Sequence, residues 1–84
     1  MTYRVLIKHS AEKELAGLPA QTKDRIDQRL LKLEGDPRPR GVKKLQGQEA
    51  YRLRVGDYRV LYEFDLSQGR VYLLYVGHRR DIYD

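Results

Sequence analysis

The sequence predicts a small α+β fold: an N-terminal strand, a helical hairpin, then a three-strand antiparallel meander, with the helices packed on one face of the sheet. Three observations predict it. Apolar residues recur at helical spacing through the first third of the chain and stop at a Gly/Pro-rich stretch. Two strand-like runs, "AYRLRV" and "YRVLYEF", flank the pair Gly56-Asp57. A third such run, "RVYLLYV", follows a short turn that ends in Gly69. At 84 residues, the chain is long enough for one domain, read as spanning residues 1–84.

The elements follow in order. "TYRVLIKH" reads as a strand with Tyr3, Val5 and Ile7 on one face. Ser10 is in position to cap a short helix whose stripe is Ala11, Leu15 and Leu18, with Glu12 in its first turn. Gly17 and Pro19 end that helix, and Pro19 opens the next, whose stripe is Ile26, Leu30 and Leu33. Gly35 and Pro37 stop it. Residues 35–49, "GDPRPRGVKKLQGQE", form a basic connector that is either a solvated loop or a phosphate-contacting one.

Gly56-Asp57 suits a two-residue type II′ turn. That turn sets Val55 opposite Tyr58, Arg54 opposite Arg59 and Leu53 opposite Val60. Alternation then predicts a core face of Tyr51, Leu53, Val55, Tyr58, Val60, Tyr62 and Phe64, joined by Val71, Leu73 and Tyr75. The other face receives Arg52, Arg54 and Arg59, with Leu61, Leu74 and Val76 further in and His78 at the strand's end. Like charges directly opposite on a sheet are unfavourable. Folding alone gives no reason to set Arg54 across from Arg59, whereas a phosphate bound between guanidinium groups does.

Composition narrows the function. Seventeen Lys and Arg against twelve Asp and Glu give a net charge of +5, nearly all of it carried from Pro37 onward. That balance favours a polyanionic partner. Without Cys there is no disulfide framework or thiolate nucleophile, which suits a reducing cytoplasm. The apolar run near the N-terminus is too short for a signal peptide or membrane span. Two histidines far apart, His9 and His78, and no carboxylate cluster argue against a metal site, and no cofactor-binding loop is present. His9, at a strand-to-helix junction, reads as structural.

Metal-free RNA cleavage fits this residue set. A ribose 2′-OH attacks the adjacent phosphate, and the protein supplies positive charge to the phosphoryl oxygens plus a base and an acid. Arg52, Arg54, Arg59 and Arg79 can supply the charge, and Lys43, Lys44 and Arg80 further contacts to RNA. His78 offers an imidazole, the side chain type suited to acid–base work at neutral pH, and Tyr83 can exchange a proton if neighbouring cations lower its pKa. Arginine stays protonated and cannot be the base. Tyr83 has a second reading as an apolar plug with Ile82.

The segments "KKLQGQEAYRLRVGDYRVLYEF" and "VYLLYVGHRRDIYD", in this order after a helical hairpin, resemble the RelE/ParE superfamily of toxins from toxin–antitoxin pairs, more closely the RelE side. The resemblance covers essentially the whole length. It implies a cytoplasmic endoribonuclease that cuts messenger RNA in the ribosomal A site without metal, leaving a cyclic phosphate, and that is held in check by an antitoxin with an acidic segment. The family's basic pair on the second strand falls on Arg52 and Arg54, and its third-strand arginine on Arg59. Its basic residue and arginine after the last strand fall on His78 and Arg79, and its terminal tyrosine on Tyr83. Some members carry lysines where this chain has Arg52 and Arg54, and lysine can act as a base where arginine cannot. The proton acceptor here is therefore His78 or Tyr83. The segment between Arg79 and Tyr83 is also shorter than in some relatives. Two rivals stand beside this reading: a ParE-like inhibitor of DNA gyrase on the same fold, and an RNA- or ribosome-binding module that cleaves nothing.

Overall fold

Gly56 takes a φ of 60°, whereas no described non-glycine residue, Asp57 included, has a positive φ. A positive φ at the first central position alone is the type II′ signature, and its twist suits the flanking strands. The register follows as expected, with Val55 opposite Tyr58, Arg54 opposite Arg59 and Leu53 opposite Val60. This hairpin is the centre of a computed structural model that describes residues 2–45, 47 and 50–78.

The elements are β1 (Arg4–Ile7), α1 (His9–Ala16), α2 (Ala20–Leu33), β2 (Lys43–Lys44), β3 (Tyr51–Val55), β4 (Tyr58–Asp65) and β5 (Arg70–His78). The five strands form one sheet in the order β1-β5-β4-β3-β2. Strands β2 to β5 pair antiparallel, and β1 pairs parallel to β5, so the sheet is mixed. The parallel pairing requires a crossover connection, and the two helices lie within it. The short strand β2 comes from the basic connector and sets Lys43 opposite Arg52.

Helix α1 starts two residues earlier than a cap at Ser10 would dictate. His9 is its first residue, Lys8 is the N-cap, and no side chain caps it. Glu12 does lie in the first turn. Pro19 precedes the first residue of α2 as its N-cap, where a missing N–H costs nothing. The buried stripes Ala11 and Leu15 of α1 and Ile26, Leu30 and Leu33 of α2 cover Tyr51, Leu53, Val55, Val60, Tyr62, Val71, Leu73 and Val76 of the sheet.

Two polar contacts fix the parts that position the site. The Tyr62 hydroxyl, wholly buried, donates to the Pro37 carbonyl at 2.6 Å and ties the connector to the core. Burial pushes its pKa well above the ordinary tyrosine value, so it remains a donor at any physiological pH. Tyr62→Phe should cost about 1–2 kcal/mol, because the Pro37 carbonyl is left without its partner; urea denaturation against wild type measures it. Beyond the end of β1, the backbone N–H of Val76 donates to Glu14 Oε1 of α1 at 3.1 Å. A helix carboxylate thus satisfies a strand donor that the shorter β1 cannot reach.

The last strand departs from simple alternation. Val60 pairs with Val76 and Leu61 with Tyr75, but Tyr62 pairs with Leu73, so Leu74 is an extra residue in a β-bulge. Past the bulge every side chain changes face. Val76, 2% exposed, belongs to the core and not to the arginine face. Tyr75 moves the other way, to share a face with Leu61. His78 sits opposite Tyr58, on the side of Val60 and Val76, and not with the arginines.

Candidate active site

The face turned away from the helices is built from two rows of cross-strand neighbours. One row is Lys43, Arg52, Leu61 and Tyr75 across β2, β3, β4 and β5; the next is Arg54, Arg59 and Gly77 across β3, β4 and β5. Adjacent strands lie about 4.8 Å apart, so four cations share a small patch with Leu61 and Tyr75 as its apolar floor. Two pairs, Lys43 with Arg52 and Arg54 with Arg59, put like charges directly opposite one another. Each such pair opposes folding by a few tenths of a kcal/mol to about 1 kcal/mol. The acidic residue Glu63 shares the face two positions beyond Leu61, away from the Arg54–Arg59 row.

Burial grades the arginines. Arg54 is exposed, while Arg52 and Arg59 are half-buried. Arg59 Nη1 donates to the carbonyl of Tyr58 at 3.4 Å, a long bond that orients the guanidinium near the hairpin end. Arginine carries five N–H donors in a rigid fork, which matches the oxygens of a phosphate. The arrangement can hold a phosphodiester between Arg54 and Arg59 and stabilise added negative charge on it.

The sequence-predicted residues divide. Arg52, Arg54 and Arg59 come together as expected, and Lys43 joins them through its pairing with Arg52. Lys44 pairs with Tyr51 and so belongs to the opposite face. His78 stands edge-on to Tyr58, with ring centroids 5.3 Å apart and planes at 81°, on the side of the sheet away from the Arg54–Arg59 row. Arg79, Arg80 and Tyr83 lie outside the described residues. Tyr75 and Gly77 were missed, because alternation without a bulge puts Tyr75 in the core. The available signal was the unbroken apolar run from Leu73 to Val76, which cannot alternate polar and apolar and so does not fix its own face.

Comparison with known proteins places this geometry. Residues 5–83 match the family described as the ParE toxin of the type II toxin–antitoxin system, parDE. A chain of the archaeal RelE–RelB complex from Pyrococcus horikoshii OT3 superposes with a TM-score of 0.86 at 35% identity, covering 98% of this chain and 100% of that one. A chain of the RelBE2 toxin–antitoxin complex from Mycobacterium tuberculosis gives 0.82 at 28% identity, over 94% and 100%. The isolated RelE toxin of E. coli shares the fold, with a TM-score of 0.81 at 23% identity over 90% and 83% of the two chains. No curated protein matches the sequence significantly.

A helix-backed sheet with a cationic open face thus defines a small toxin class. The chain belongs to the RelE/ParE superfamily of type II toxin–antitoxin toxins.

Proposed function

We propose that this toxin is an endoribonuclease of the RelE kind, which cleaves messenger RNA in the ribosomal A site without metal and so stops translation. The observation that carries this reading is the cationic row Arg54–Arg59, backed by Lys43–Arg52, on the face the helices leave open. A phosphate bound there would relieve two unfavourable charge pairs, so binding recovers what folding loses.

In the reaction the ribose 2′-oxygen bonds to the adjacent phosphorus and the 5′-oxygen of the next nucleotide leaves. A 2′,3′-cyclic phosphate and a 5′-hydroxyl result. Arg54 and Arg59 bind the non-bridging oxygens and stabilise the charge that grows on them, and Arg52 and Arg79 add to that field. One proton must leave the 2′-hydroxyl and one must reach the departing oxygen. With His78 on the far side of the sheet from the Arg54–Arg59 row, we assign one of these transfers to Tyr83, the other sequence candidate. Lys43 and Arg80 serve as contacts to the RNA backbone.

A site so poor in strong bases depends on its substrate being held in a reactive geometry, and positioning can contribute about 7–11 kcal/mol to a reaction. The same RNA is expected to be cut in the A site of a programmed ribosome at least about 10³-fold faster than when naked. Primer extension on both substrates checks this, and equal rates would remove ribosome dependence. The matched family is described as a ParE toxin, and the ParE-like alternative for this chain is inhibition of DNA gyrase. A supercoiling assay with the purified toxin decides between them: inhibited gyrase with uncut RNA would replace the nuclease reading.

Relatives from P. horikoshii and M. tuberculosis were crystallised as RelE–RelB and RelBE2 toxin–antitoxin complexes. By likeness, this toxin pairs with a cognate antitoxin, and an acidic segment of it suits the cationic face by charge. No described helix is long and apolar enough to cross a membrane. The proposed activity lies in the cytoplasm, where the ribosomes are.

A further inference from the structure

We propose that Tyr75, laid across Gly77 beside Arg59, forms a subsite for an unpaired nucleobase of the RNA whose phosphate the arginines hold. The proposal rests on the reading of the cationic face as an RNA-cleaving site, and it assigns a residue which that reading does not use.

A β-carbon built on Gly77 would lie 2.8 Å from the Tyr75 hydroxyl oxygen and 3.0 Å from Cε2 and Cζ of its ring. Real side chains do not tolerate such separations, so the phenol fills the space that a side chain at position 77 would need. Gly77 has no positive φ, and the backbone therefore gives no reason for glycine there. The ring does. Residues two apart on a strand share a face, and the bulge at Leu74 puts Tyr75 and Gly77 on the arginine face. Gly77 lies opposite Arg59 and Tyr75 opposite Leu61, so the ring lies next to the phosphate clamp with an apolar neighbour behind it.

This juxtaposition suits one nucleotide of a single-stranded RNA. Bases in unpaired RNA are recognised by stacking on aromatic rings, and a ring braced against backbone loses little freedom on binding. A guanidinium alongside takes the neighbouring phosphate. Stacking tolerates every base but favours large ones, so the subsite would bias which positions are cut and not only how fast.

The test compares Tyr75→Leu, Tyr75→Phe and Gly77→Ala with wild type. Single-turnover cleavage on programmed ribosomes is one readout, and NMR titration with a 2′-deoxy trinucleotide, which cannot be cleaved, is the other. Tyr75→Leu keeps apolar bulk but removes the flat ring, and should lower kcat/KM and trinucleotide affinity about ten- to hundredfold. Tyr75→Phe should restore both to within about threefold of wild type, since the ring returns. Gly77→Ala should match Tyr75→Leu by displacing the ring, and the double variant should lose no more than either alone. A folded Tyr75→Leu that cuts the same positions with wild-type kcat/KM overturns the proposal. So does a Tyr75→Phe as impaired as Tyr75→Leu, because the hydroxyl and not the ring would then be at work. If the wild-type protein cuts no RNA at all, the nuclease reading fails by itself. The titration still decides the subsite: shifted Tyr75 ring resonances sustain it, and shifts elsewhere only remove it.

Discussion

Arg59→Ala is expected to lower messenger RNA cleavage on programmed ribosomes by about 10²–10³-fold while the protein stays folded. Arg59 sits at the middle of the cationic row, with Arg54 on one side and Gly77 under the Tyr75 ring on the other. It is half-buried, so its field is less screened by water than that of the exposed Arg54. Losing one donor to charge that develops only in the transition state lowers the chemical rate more than it weakens binding. The expected signature is therefore a fall in kcat with ribosome affinity largely kept. Thermal unfolding should be unchanged or slightly higher, because the repulsion with Arg54 is gone while the 3.4 Å bond to the Tyr58 carbonyl that is lost with it is long and weak. A folded variant with wild-type cleavage would take Arg59 out of the site.

Tyr83→Phe is expected to lower single-turnover cleavage by about 10²-fold or more with ribosome affinity kept, if the tyrosine transfers a proton. Its ring survives that change and only the hydroxyl is lost, so a stacking role would leave the rate nearly intact. Tyr83 lies outside the described residues, and the case for it comes from the sequence and from the described part of the arginine face. With His78 against Tyr58 on the helix side of the sheet, the described lysine of the arginine face is Lys43, opposite Arg52 and a row away from Arg54 and Arg59. Deleting residues 79–84 should likewise abolish cleavage. It should not unfold the protein, because the buried cluster of the described residues, from Ala11 to Val76, is a complete helix-on-sheet core. Normal cleavage by Tyr83→Ala would leave the tyrosine as a plug at the sheet's end.

Much of the architecture was legible in the sequence because it is written in local chemistry. The Gly56-Asp57 pair sets the hairpin turn, and alternation from Tyr51 to Phe64 then fixes which side chains are buried and which three are arginines on the open face. Leu15, Ile26, Leu30 and Leu33 mark the helical faces by spacing alone. Gly17, Pro19 and Gly35 mark their ends. The helix cap was less legible: Ser10 has the right chemistry, yet α1 begins at His9 with Lys8 as its cap, since chain entry from β1 decides where the first turn starts.

By itself, then, the sequence determined the strand–helix–helix–meander order, the hairpin register and the cluster of Arg52, Arg54 and Arg59. It could not determine the face of each residue in the last strand. Leu73, Leu74, Tyr75 and Val76 are all apolar, and either phase of alternation buries acceptable side chains. The choice fell to tertiary structure: Val76 and Leu73 both reach the core only if one residue between them is left out of the ladder. That single bulge carries Tyr75 onto the arginine face and His78 off it. Nor did the sequence show that β1 would lie parallel beside β5, or that Lys43 would be drawn opposite Arg52 by a two-residue strand. The β1–β5 pairing joins segments far apart in the chain and brings Val5 beside Val71 under the helices, a long-range choice that no local pattern records.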